Sequence, residues 1–283
     1  MGNQLAMPAP SAGANRARAA MLLGRCAALA AAALLLSGLA GDRMSSGRAG
    51  VRIDLPPLVL WAWDHDDDLR FLDPRDTGVA FLAGTLTLRG EGVVLTPRHN
   101  PLALPAGVRR VAVAHVETDR AEPPALSSQQ LRRFVETLAA VSEEVPHHVL
   151  QIDYEAVTSQ RAFFIDAIAA LRRRLPGAVI SVTALASWCF NESWTGRLEA
   201  DEVVPMLFRM GYDGRRVQTR FAGGGDFRGF ECRSSLGVAI DEMPPVLPPG
   251  RRIYVFSPRR WTPETYELVR ARIRPWSHDQ SFD

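Results

Sequence analysis

From Leu58 onward the chain repeats one pattern: a short apolar run, a polar or aromatic exit, then an amphipathic stretch or a turn. Short runs of this kind, rich in Val, Ile and aromatic residues, predict buried strands. The pattern places them at Leu58–Trp63, Gly78–Gly84, Val108–His115, His148–Ala156, Val179–Leu185, Val203–Phe208, Leu236–Ile240 and Ile253–Phe256. A hairpin follows the second strand, with Thr85–Leu88 and Val93–Thr96 flanking the turn at Arg89–Gly92, and takes the place of a crossover helix. Helical periodicity predicts one helix behind the cap region Ser127–Gln130, with Leu131, Phe134, Val135, Leu138 and Val141 on one face. A second spans Ser159–Leu175, with Phe163, Phe164, Ile168 and Leu171 inward, and stops at Pro176-Gly177. A last one begins at Thr262-Pro263-Glu264 and runs to Ile273. The acidic run Asp66–Asp68 predicts the start of a short helix over Leu69–Leu72, ended by Asp73-Pro74.

Near-continuous apolar strands belong to parallel sheets covered on their outer face. Eight such units fit an α/β fold, a compact (β/α)8 TIM-like barrel over residues 51–276 with degenerate second, sixth and seventh crossovers. An open doubly wound sheet is the alternative.

The first 40 residues break the pattern. Arg16, Arg18 and Arg25 precede the apolar run Cys26–Ala40, and small residues close it. That is the layout of a secretory signal peptide, with Met21 as an internal start that gives it ordinary length; an uncleaved membrane anchor is the alternative. Residues 41–50 read as a linker and 277–283 as a tail. The expectation is an exported, extracytoplasmic protein that meets the membrane only through this segment. Cys189 and Cys232 then face an oxidising compartment and either pair or stay free. All 33 basic residues are Arg, scattered along the chain, and the net charge is only +2, which argues against nucleic acid as a partner.

In such barrels the chemistry lies at the C-terminal ends of the strands. The fourth strand ends in Asp153 and Glu155, and residues two apart on a strand share a side, about 6–7 Å apart. Two carboxylates on one wall are an arrangement glycosidic-bond chemistry uses. These two are the candidate catalytic residues. Trp61, Trp63, Asp64, Trp188, Arg209, Tyr212, Asp241 and Glu242 fall at other strand exits and are candidate substrate-binding residues. Acids with several aromatic faces suit a carbohydrate ligand. The plainer readings stay open: tryptophans in the core, Asp64 as a helix cap, Asp153 and Glu155 in an arginine-paired network, and only one of Asp241 and Glu242 facing inward. His147-His148 stands at the wrong end of the fourth strand, and no HxH or HExxH pattern occurs, so no metal or other cofactor is expected.

Four motifs in order, LWAWDH at 60–65, QIDYE at 151–155, TALASWC at 183–189 and PMLFRMG with GVAIDE at 205–211 and 237–242, resemble the bacterial domain of unknown function 3142 family. The resemblance covers most of residues 56–260 and implies a glycosidase-like TIM barrel; it carries no established activity. More distantly, strand four is similar to the chitinase-type DGxDxDxE motif. In that alignment Glu155 takes the place of the last Asp, and the catalytic Glu falls on Val157. Met206 and Tyr212 loosely echo the M-x-Y-D element of those enzymes. The expectations are thus an exported glycoside hydrolase acting through the strand-four acids, or a non-catalytic barrel that binds envelope glycan or protein.

Overall fold

The computed structural model describes residues 53–143, 149–191 and 194–277, which lie in a unit spanning Val51–Asp283. The signal segment, the linker, His147-His148 and most of the tail fall outside the described residues.

Eleven strands are present among these residues: β1 (Leu58–Ala62), β2 (Asp67–Asp68), β3 (Thr77–Arg89), β4 (Gly92–Pro97), β5 (Leu102–Ala103), β6 (Arg110–Thr118), β7 (Val149–Asp153), β8 (Val179–Leu185), β9 (Glu202–Met206), β10 (Ser235–Ala239) and β11 (Arg252–Phe256). Five helices accompany them: α1 (Ser128–Glu143), α2 (Arg161–Arg174), α3 (Ala186–Asn191), α4 (Gly214–Ala222) and α5 (Pro263–Ser277). The parallel order β1-β3-β6-β7-β8-β9-β10-β11 closes on itself, because β1 pairs with β3 on one side and with β11 on the other. Closure removes both edges and with them the doubly wound alternative. The chain is an eight-stranded α/β barrel.

The period-two alternation of each strand sorts residues between two cores. Leu58, Leu60, Leu150, Ile152, Ile180, Val182, Leu236 and Ile253 point outward and join Phe134, Leu138, Phe164 and Ile168 of α1 and α2 in the larger cluster. Val59, Trp61, Val111, Val113, Val149, Val204 and Tyr254 fill the barrel interior. The two helices meet through Phe134 and Phe163, ring centroids 5.9 Å apart. Ser127 caps α1, its Oγ accepting the Gln130 N–H at 3.1 Å, and Thr262 caps α5 by accepting the Thr265 N–H at 3.2 Å.

The interior is not wholly apolar. The buried Glu202 carboxylate accepts bonds from Ser181 Oγ (2.8 Å), Ser235 Oγ (2.5 Å), Arg252 Nη1 (2.5 Å) and Tyr254 OH (2.8 Å). Gln151 links this cluster upward, donating to Ser181 Oγ (3.0 Å) and accepting from the Trp61 indole N–H (2.7 Å). A polar ladder thus runs up the barrel axis, with its members hydrogen-bonded as burial demands.

Three expectations need correction. Leu69–Leu72 forms a turn, not a helix; the acids before it are taken up elsewhere, Asp67 accepting the Trp261 N–H at 3.0 Å while Asp67–Asp68 pairs as β2 with β5. The sixth crossover does carry a helix, α4, whose buried face is only Val217 and Phe221, too sparse for periodicity to reveal. The second strand and the first arm of the hairpin are one strand, β3, with a register shift between Leu82 and Gly84. A Cβ at Gly84 would come within 2.8 Å of Leu95 Cδ1 and 2.9 Å of Thr96 O, so glycine lets β4 close on the bend. Cys189 of α3 and Cys232 do pair, with Cα atoms 6.0 Å apart.

Candidate functional site

At the C-terminal ends of the barrel strands lies an open cavity of about 520 Å³. Its walls carry His115 from β6, Asp153 and Glu155 at and beyond the end of β7, Thr183 from β8 and Ser187 at the start of α3. Trp61, Trp63, Met206, Phe208 and Phe256 line it with apolar faces, and Arg209 and Asp213 close its rim.

Asp153 is the most tightly held of these. Thr183 Oγ1 donates to its Oδ1 at 2.6 Å, and His115 Nδ1 meets its Oδ2 at 2.8 Å. The other ring nitrogen of His115 lies 3.3 Å from Glu117 Oε1. Burial by itself would lower the His115 pKa; the bond to Asp153 and the charges of Asp153 and Glu117 outweigh it and raise the ring above its ordinary value. Trp63 packs edge-on against His115 at 5.3 Å and against Phe256 at 6.0 Å.

Glu155 has a different environment. It sits two residues past the strand end, where a turn with the Ala156 N–H on the Tyr154 carbonyl (2.9 Å) brings it back to the mouth. Burial and the Asp153 charge raise its pKa, and the nearby His115 offsets part of that rise. One carboxylate is fixed by two hydrogen-bond partners while its neighbour is biased toward the protonated form.

Arg209 reaches the rim by a strained route. Its φ of 52° lies in the left-handed region, costly for a side chain with a Cβ, and the Glu242 carboxylate accepts its N–H at 2.7 Å. Its guanidinium lies 5.4 Å from the Phe256 ring centre. The β1 exit is braced likewise: Arg98 donates to the carbonyls of Ala62 (3.0 Å), Trp63 (2.5 Å) and His65.

Five of the residues expected from the sequence line this cavity: Asp153, Glu155, Trp61, Trp63 and Arg209. Trp61 does so from the floor, 3% exposed, its N–H committed to Gln151. The others stand elsewhere. Trp188 is 4% exposed and stacks edge-on against Trp194 at 4.7 Å, because α3 starts directly after β8 and turns it away while Ser187 faces the mouth. Tyr212 is 96% exposed; of its short turn only Asp213 faces in. Asp64 holds the β4–β5 loop, accepting the Asn100 N–H at 2.9 Å, which with the His99 N–H overcomes slight desolvation and lowers its pKa. Asp64 therefore caps a loop, not a helix. Asp241 is exposed, and neither it nor Glu242 lines the cavity; Glu242 acts on the backbone of Arg209. Sequence reasoning passed over His115, Thr183, Asp213, Phe208 and Phe256. The strand period from Val111 and Val113 pointed to His115, and that from Ser181 to Thr183.

No family model matches this chain, and no curated protein matches it. Among the described residues no group of three His, Cys, Asp or Glu is placed to hold a metal ion.

Proposed function

We propose that this barrel is an exported carbohydrate-active enzyme that hydrolyses a glycosidic bond with Glu155 as general acid. The observation that carries the reading is the contrast within the strand-four pair. Asp153 is locked by Thr183 and His115, while Glu155 is pushed toward its protonated form beside it. Glu155 delivers a proton to the leaving oxygen as the glycosidic C–O bond breaks, water adds to the anomeric carbon, and the proton that water loses returns to the Glu155 carboxylate; Asp153 keeps the proton on its neighbour and orients His115. Both Asp153 oxygens are already engaged, which favours an orienting role over that of base. Trp63, Phe208 and Phe256 supply ring faces for a pyranose, and Arg209 and Ser187 supply donors for hydroxyls. The substrate-assisted chitinase route finds no acid at Val157, which is 56% exposed. The buried disulfide supports export, and the barrel suits the family that the four sequence motifs resemble.

The test is hydrolysis of a polysaccharide panel by wild type and Glu155→Gln. Removing a general acid lowers the rate about 10²–10⁴-fold. Wild-type turnover should also fall as pH rises through the raised Glu155 pKa. Equal rates for the two proteins sink the assignment. A second reading, a barrel that binds glycan without turnover, draws on the engagement of both Asp153 oxygens, which leaves Glu155 without a free partner on its own strand. It predicts binding that survives Glu155→Gln and is lost with Trp63→Ala.

A further inference from the structure

The cavity at the barrel mouth has a neighbour. A second hollow of about 490 Å³ lies over the segments that leave β6 and β7. Thr118, Arg120, Tyr154 and Gln160 contribute to its walls, and it shares His115 and Glu155 with the first cavity. Glu155 therefore stands on the divide between two spaces, each within the range of about 300–1,000 Å³ common for ligand sites. The two sides differ in chemistry. The mouth side is aromatic, with Trp63, Phe208 and Phe256. The far side is polar, and the guanidinium of the exposed Arg120 has no ion pair among the described residues.

Any glycosidic bond has a unit on each side of its proton donor, but an exo-acting site is walled off beyond the terminal unit. Hollows that stay open on both sides of the donor leave room for a chain that continues past it in both directions. We infer that the protein binds a saccharide chain across Glu155, with units in both hollows, and acts on internal bonds instead of clipping chain ends. This rests on the reading of Glu155 as the acid.

The experiment is calorimetric titration of Glu155→Gln with di-, tetra- and hexasaccharides of the cello-, chito- and galacturono- series, alongside product analysis with wild type. In one series affinity should rise with chain length. Arg120→Ala in the same background should weaken the hexasaccharide about tenfold, the loss of one charged hydrogen bond, and leave the disaccharide unchanged. Wild type should release internal fragments. Arg120 is exposed, so its unfolding midpoint should not move. If the length dependence and its loss appear but wild type releases no product, the acid assignment fails and binding across Glu155 stands. If product forms while hexasaccharide and disaccharide bind alike and single end units are released, the acid assignment stands and this inference is overturned. Absence of binding in all three series overturns it as well.

Discussion

The bond between His115 and Asp153 makes a pH-dependent contribution that can be isolated. Their side chains are 27% and 14% exposed and meet at 2.8 Å. Burial opposes charge on the ring, but Asp153 with Glu117 leaves its folded-state pKa raised. A raised pKa means that folding favours the protonated ring. That stabilisation is complete below the unfolded histidine value of about 6.5 and is lost as pH rises through the raised folded value. Hydrogen bonds to charged groups contribute about 1.5–3 kcal/mol, with the larger figures where both partners are ionised. Asp153→Asn keeps an acceptor for Thr183 and removes the charge; His115→Gln removes the ring. A double-mutant cycle by urea unfolding should give a coupling near 3 kcal/mol at about pH 5.5 and near 1.5 kcal/mol at about pH 9. A coupling that is the same at both pH values, or larger at the alkaline one, refutes the argument, because the ion pair would then contribute nothing.

Glu155 has the opposite consequence for stability. A carboxyl with a raised folded pKa gives stability below about pH 4.3 that is lost as pH rises through the raised value. Glu155→Gln should therefore melt higher than wild type at pH 7 and match it near pH 3 in differential scanning calorimetry. Gly237→Ala should cost about 1–3 kcal/mol in denaturant titrations, because the new Cβ would stand 2.7 Å from Trp61 Cη2 on the cavity floor. An unchanged midpoint would mean the floor yields freely. The Cys189–Cys232 bridge closes a separation of 43 residues with both sulfurs buried, so replacing both by Ala should cost about 4 kcal/mol in the same assay.

The apolar runs determined eight buried parallel strands, while the choice of a closed barrel over an open sheet came from β1 pairing with both β3 and β11. Each strand must bury both faces, one against the interior and one against helices or loops, and only near-continuous hydrophobic segments such as Val179–Leu185 do so. The same alternation set Asp153 facing in while Leu150 and Ile152 faced out, so the strand-four acid was legible from pattern alone. What the pattern left undecided was everything that depends on how loops turn once a strand has ended. Trp188 and Tyr212 sit at strand exits as plainly as Trp63 does, yet a helix beginning at Ala186 buries one and a short turn throws the other into solvent. Likewise no local signal says that His115, 38 positions before Asp153, is its partner, or that Cys232 lies beside Cys189. Those pairings arise from strand register and closure of the sheet, a long-range condition that hydrophobic periodicity, being local, does not encode.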